Sequence, residues 1–504
     1  MRQTYFFSDT GLRSLLMAED LRRRDPGAEL CFYHVESLKA SLQKQLRRLN
    51  AACCADDIAD ILYRSCEKKT FFLLGEDDRA NLREAVVLLR LLNENPCADA
   101  EPPVIWIKTR QREAELLLDS SPKDTLCAGK RQAVMVHAFE ECDRVIQQLF
   151  TYLPLYEGWK GGEQRISLLV LGSGTTAMQA VKTAVWMGQI RDFSLHIQLM
   201  DRDAGRAEDI LHQQCPELFE SGEYDLRFIS ADTATCELQD ALWEYCSDCN
   251  YILVAAGEDE DNILLGTELC SFYMARYSTL QNLPVLTVQV RDPEKNRLVP
   301  RLTSRDGSFS FNLTAFGSWD SLYSVDGLTN WYIDRRMERI HMTFCDAETP
   351  EQRRAALEDL NRHCYNQMTS RANALHFATK LFQCGITERE PAAQAAAFQA
   401  MLDGPDGAEI LESLARWEHN RWNAFERATG WRKASLHDME EYVRDGCGRH
   451  QHYLARLHPC LVSYDELPEI DKAVQRLLGK KRDFQANDRA MIRTIPKILA
   501  DERR

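Results

Sequence analysis

Apolar positions in the first three hundred residues fall into short unbroken runs separated by stretches with helical spacing. Phe71–Leu74, Ile105–Ile107, Ile166–Leu171 and Tyr251–Ala256 are strand-sized and almost wholly apolar. Such runs suit strands of a parallel sheet whose two faces are both covered by helices. The pattern also repeats. From Phe71 the chain reads FFLLGEDDRANLREAVVLLRLL and then PPVIWIKTR; from Ile252 it reads ILVAAGEDEDNILLGTELCSFYMAR and then LPVLTVQVR. Each copy gives an apolar strand, Gly-Glu-Asp, an Asn, an amphipathic helix, and a strand opening at Pro and closing at Arg. Upstream, Tyr5–Phe7 with Gly11 parallels Leu168–Leu171 with Gly174, and Glu29–Val35, ending at Glu36, parallels Leu195–Met200, ending at Asp201. The duplication predicts two tandem doubly wound α/β domains of the Rossmann-like kind.

Between the copies, Val134, Met135, Ala138, Phe139, Val145, Ile146, Leu149 and Phe150 are spaced as on a helix, so Lys130–Leu153 reads as one helix ended by Pro154 and Gly158. A less legible region follows Arg291, rich in Gly, Ser and aromatics. From Thr349 the chain turns helical, and Leu402–Gly407 marks a turn before a last helical domain. The expected boundaries are 1–128 for the first α/β domain, 129–160 for a connecting helix and linker, 161–330 for the second α/β domain, 331–404 for a helical connector, and 405–504 for a mostly helical C-terminal domain.

The second copy carries a motif that can hold a ligand. Gly172-Ser173-Gly174-Thr175-Thr176-Ala177 follows the strand Ile166–Leu171 directly and opens a helical stretch. In this G-x-G-x-x-A pattern the first glycine permits a tight turn, the second lets a phosphate approach the backbone, and the alanine lets helix and sheet pack closely. The helix start offers free N–H groups to an anion. Asp201, closing the next strand, can accept hydrogen bonds from ribose hydroxyls. The alternative is a loop that keeps its glycines for turn geometry alone. In the first copy Asp9 stands where the first glycine would be, and a carboxylate there would repel a pyrophosphate.

Both copies resemble the N-terminal domain of potassium-conductance regulators, the RCK or TrkA-N family. The resemblance rests on the glycine loop, the acid after the second strand, Ser230-Ala231-Asp232-Thr233 after the third, and the acid-rich loop with Asn262 after the fourth. It implies binding of NAD(H) or an adenine nucleotide at Gly172, Ser173, Gly174, Thr175, Thr176, Asp201, Asp232 and Asn262, with a regulatory role and no catalysis. In the first copy Gly75, Asp78 and Asn81 match and the glycine loop does not. Domains of this kind pair, which implies either a homodimer or pairing of the two copies within one chain.

The C-terminal stretch resembles the ryanodine-receptor RyR domain through Glu418-His419-x-Arg421-Trp422, Gly430-Trp431, His458-Pro459, Tyr464-Asp465-Glu466-Leu467, Asp488-Arg489 and Ile495-Pro496. Trp417, Glu418, Arg421, Trp422 and Trp431 are its ligand candidates. Indoles beside a guanidinium can stack a planar base and hold a phosphate; tryptophans at helical spacing equally serve a core, with Glu418 pairing Arg421.

Composition narrows the classes. The chain has 504 residues, 44% hydrophobic and 28% charged, with net charge -15. So acidic a chain repels a phosphate backbone, which argues against nucleic-acid partners. No apolar run approaches the ~18 residues that cross a bilayer, and the first residues lack a secretory pattern; the expectation is a cytoplasmic protein that does not insert into membranes. Its 17 cysteines then read as reduced thiols. Cys246-x-x-Cys249 has no second pair to complete a zinc site, so no metal is expected. No Walker loop occurs, and no proton-donor set for a nicotinamide enzyme is legible. The remaining alternatives are an NAD(P)-dependent oxidoreductase or a structural adaptor with degenerate ligand sites.

Overall fold

The computed structural model describes residues 3–502 except 34, 36–38, 55–67, 96–100, 128–129, 233–236, 246, 277–282, 303, 306–308, 311–312 and 330. Glu36, Cys246 and Thr233, which enter the sequence reading, lie outside the described residues. The chain is α/β, with two six-stranded parallel sheets and a helical C-terminal region. It divides into two compact units. The first comprises Met1–Arg144 with Trp319–Arg371, and the second Val145–Ser318 with Ala372–Arg504.

The first unit's sheet contains β1 (Gln3–Phe7), β2 (Glu29–Phe32), β3 (Ala52–Cys53), β4 (Lys68–Leu73), β5 (Val104–Lys108) and, after the hairpin β6 (Asp124–Cys127) and β7 (Lys130–Ala133), β8 (Met135–Phe139). Its order is β3-β2-β1-β4-β5-β8, all parallel. The order reverses between β1 and β4, the crevice where doubly wound sheets hold ligands. Helices cover both faces, so Phe6, Phe7, Phe71 and Phe72 are all buried. Phe6 stacks on Phe71 and Phe7 on Phe72, each at 5.1 Å, as the in-register pairing of β1 with β4 requires.

The single helix expected over Lys130–Leu153 is corrected. Lys130–Ala133 and Met135–Phe139 are strands, and only Glu141–Tyr152 is helical. Val134, Met135, Ala138 and Phe139 fit a helical period by accident. Pairing of β8 with β5 claims Met135, Ala138 and Phe139 instead, opposite Val104, Ile107 and Lys108.

The second unit repeats the plan with β9 (Arg165–Leu171), β10 (Ser194–Asp201), β11 (Asp225–Ser230), β12 (Tyr251–Val254) and β13 (Val285–Gln289). The hairpin β14 (Ser304–Arg305) and β15 (Phe309–Ser310) then leads to β16 (Leu313–Phe316). The order β11-β10-β9-β12-β13-β16 matches the first sheet strand for strand, including a hairpin before the last strand. One side chain marks the duplication at atomic level. Asn81 donates from Nδ2 to the Lys108 carbonyl, and Asn262 to the Gln289 carbonyl, each partner 27 residues on, at 2.9 and 3.0 Å.

Helices Pro391–Leu402, Gly407–Ala428 and Phe484–Ala500 pack together in the second unit, with a satellite core from Met439, Tyr442, Val462, Tyr464, Leu467 and Val474. Helix Gly407–Ala428 also lies along helix Thr175–Met187 of the α/β part, where Trp186 meets Phe425 edge-on at 5.6 Å. Just past its end the chain approaches helix Ala204–Gln214 closely enough to demand a glycine. Gly430 adopts φ +88°, and a Cβ there would stand 2.6 Å from the Gln214 carbonyl oxygen.

Candidate functional site

The glycine loop of the second unit links the carboxyl end of β9 to helix Thr175–Met187. Gly172 has φ +121°, and a Cβ at this position would lie 2.3 Å from the Ala255 carbonyl oxygen, so neither the turn nor the neighbouring strand leaves room for a side chain. Gly174 differs: it caps the helix in extended conformation, no side chain caps that end, and a Cβ built there would meet nothing within 4 Å. Gly174 and Thr175 are exposed, whereas Thr176 is buried and accepts at 3.1 Å from Gln289 Nε2. The loop thus presents backbone, with the Thr176 side chain turned into the fold.

Asp201 stands beside the loop. Its Oδ1 accepts from the Ser173 hydroxyl at 2.9 Å and from the Asp203 amide at 2.8 Å. Both bonds go to one oxygen and orient the carboxylate at the crevice. Asp232, at the end of β11, pairs with Arg202, which follows Asp201 directly. Asn262 plays another part. It is 1% exposed, and its amide is spent on backbone: Oδ1 accepts from Ala256 and Gly257, and Nδ2 donates to Gly257 and Gln289. It shapes the turn after β12. Gly172, Ser173, Gly174, Thr175 and Asp201 therefore stand together at the carboxyl ends of β9 and β10, while Asn262 and Thr176 are tied by hydrogen bonds into the fold.

In the first unit the matching place is filled by the chain itself. Asp9 folds over its own loop, taking the Gly11 amide on Oδ1 at 2.6 Å and the Ser14 hydroxyl on Oδ2 at 2.9 Å. Arg13, in the first turn of helix Leu12–Arg24, donates to Glu141 at 2.6 Å, and Tyr323 donates to the same Glu141 oxygen. Burial would raise the Glu141 pKa, but Arg13 and Tyr323 hold it below the ordinary carboxylate value. Lys108, where the second unit has Gln289, pairs with Asp78. An anion at this loop would meet a carboxylate already in place.

The C-terminal candidates separate into three places. Glu418 and Arg421 are buried partners: Arg421 donates to Glu418 at 2.9 Å, Lys380 Nζ lies 2.7 Å from its other oxygen, and Asn373 donates at 2.7 Å. Burial works against the charge on Glu418, yet Arg421 and Lys380 keep its pKa below the usual value. This carboxylate ties the segment after Ala372 to helix Gly407–Ala428. Trp422 and Trp431 meet His458 edge-on, at 4.8 and 6.0 Å, and belong to the packing around it. Trp417 alone lines open space. It borders a cavity of about 360 Å³ with Phe193, His196, Tyr224 and Asp225, at the amino ends of β10 and β11 and away from the glycine loop.

Sequence reasoning missed Lys380 and His376 because nothing in their spacing marks them. His376 is buried, and burial, Lys380 and Arg421 push its pKa well below the ordinary histidine value. His419 is a packed histidine, bonded through Nε2 to the Val462 carbonyl at 2.9 Å. Cys249 is buried within the core of the second sheet. No helix among the described residues is long and apolar enough to cross a membrane. Among known proteins, no family model matches this chain, and no curated protein matches it either.

Proposed function

We propose that this chain is a non-catalytic cytoplasmic sensor of a nucleotide, NAD(H) or an adenine nucleotide, held at the glycine loop of the second α/β unit. One contrast carries the reading. Two copies of one fold end their first strand at a helix start; in one, Asp9 covers the loop, and in the other, Gly174 leaves the backbone uncovered. The amides opening helix Thr175–Met187 would take the phosphates, and Asp201 the ribose hydroxyls through the oxygen that Ser173 and Asp203 leave unused. The same helix carries Trp186 against Phe425 of the C-terminal helical region. An anion that stabilises one end of this helix therefore acts on an element on which the C-terminal region rests, which suits sensing. The likeness to the RCK and RyR families supports the same reading.

The test is thermal stabilisation of the purified full chain by NAD+, NADH, ATP or ADP. A ligand at a hundred times its dissociation constant adds about 2.7 kcal/mol to folding stability. Gly174→Asp places a carboxylate against the phosphates and should abolish the effect. Stabilisation that survives in Gly174→Asp, or none by any of the four in the wild type, rejects this site.

A further inference from the structure

A second cluster of ligating side chains lies in the first unit, far in sequence from the loop at Asp9 and from the glycine loop at Gly172. Helices Tyr332–Phe344 and Pro350–Arg362 follow one another and pack together. At the end of the first, His341 and its C-cap residue Cys345 are one turn apart; at the end of the second, Asp359 and its C-cap residue His363 are likewise one turn apart. Residues four apart share a helix face. Each helix thus offers two ligands from its last turn.

The distances suit one metal. The donor atoms of His341, Cys345 and Asp359 all lie within 4.8 Å of one another. His341 Nε2 is 3.6 Å from Cys345 Sγ and 3.2 Å from Asp359 Oδ2. Tetrahedral zinc, with Zn–S near ~2.3 Å and Zn–N and Zn–O near ~2.0 Å, separates sulfur from nitrogen by about 3.6 Å and nitrogen from oxygen by about 3.3 Å. Both edges are therefore already set. His363, one turn after Asp359, has its Nε2 3.9 Å from the other Asp359 oxygen and is the imidazole offered for the fourth position. Asn366 donates to Asp359 at 2.8 Å, the outer bond that commonly orients a ligating carboxylate. His341 is buried while Cys345 and Asp359 are exposed, so a metal ion has an anchored ligand and a route in.

We propose that His341, Cys345, Asp359 and His363 form a zinc site that clamps these two helices. Thiolate, two imidazoles and a carboxylate make a closed four-ligand set, which suits a structural ion and leaves no position for substrate. Binding releases the thiol proton, and no electron moves. A plain His341–Asp359 hydrogen bond between the helices is the competing account, and in it Cys345 has no role.

The full chain, stripped with a chelator, is titrated with Zn²⁺ and in parallel with Co²⁺. One metal per chain is expected, with a thiolate-to-cobalt charge-transfer band and a rise in melting temperature on adding zinc. Cys345→Ser and Asp359→Asn change exposed positions and should keep the circular dichroism of the wild type. Cys345→Ser should lose the band, and each should weaken zinc binding by more than about tenfold. His363→Ala tests the fourth corner by the same measure. Wild-type protein that takes up no stoichiometric zinc, or Cys345→Ser that binds it as tightly, overturns the proposal.

Discussion

Gly172 and Gly174, separated only by Ser173, should fail in different ways. An alanine at 172 must hold φ near +121° and place its Cβ 2.3 Å from the Ala255 carbonyl oxygen, about 1 Å inside contact distance. That carbonyl follows β12, which lies between β9 and β13 in the middle of the sheet, so the backbone cannot retreat without breaking ladder bonds. Backbone strain in a sparsely populated region costs about 1–3 kcal/mol, and overpacking costs about 1–3 kcal/mol more. Gly172→Ala should therefore lose about 2–6 kcal/mol. Gly174 has φ -73° and open space around it, so Gly174→Ala gives up no more than the difference between glycine and alanine at a helix cap, about 1 kcal/mol or less. Guanidinium unfolding of the full chain, followed by intrinsic fluorescence, reads both. Equal losses at the two positions would refute the division of labour in which the first glycine serves the fold and the second the ligand.

Two further outcomes concern buried charge. Asp334 lies between Arg144 and Arg371, whose guanidinium nitrogens stand 3.1 and 2.9 Å from it. Burial would raise its pKa, but the arginines hold it at about 2, against an ordinary 3.8. A depressed carboxylate contributes stability that is complete above the unfolded value and lost as pH falls through the folded one. About 2 kcal/mol should thus disappear between pH 3.8 and 2. Asp334→Asn should flatten that limb of a stability–pH curve, and an unaltered limb would disprove the assignment. Glu418→Gln leaves the buried cations Arg421 and Lys380 without their carboxylate and should cost about 3–5 kcal/mol in urea unfolding; a loss below about 1 kcal/mol would show that the cluster does not depend on the charge.

The sequence alone was enough to reveal the duplication, the strand–helix alternation and the glycine loop. Those features are local: unbroken apolar runs such as Leu168–Leu171 can be satisfied only inside a covered sheet, and a turn as tight as that at Gly172 excludes every residue with a side chain. The departure at Asp9 was legible for the same reason, since a carboxylate next to free amides bonds to them whatever the rest of the chain does, here to the Gly11 amide.

Other features depend on what packs against what. The two-residue β3 lies in a run of small Ala and Cys residues with no β-branched or aromatic side chain to announce a strand, and Met135–Phe139 fits a helix until β5 supplies a partner. Asn262 resembles a ligand contact in sequence, and only the folded turn shows its amide consumed by backbone. Glu418 and Arg421 read in sequence either as ligand contacts or as a pair beside core tryptophans, and only the fold shows Lys380 and Asn373 closing over Glu418. Nor does anything local dictate that Trp319–Arg371 joins the first unit and Ala372–Arg504 the second. His341 with Cys345 and Asp359 with His363 are two unremarkable pairs along the chain; helix packing brings the donors of His341, Cys345 and Asp359 together, because i,i+4 spacing fixes a face and tertiary structure chooses what the face meets.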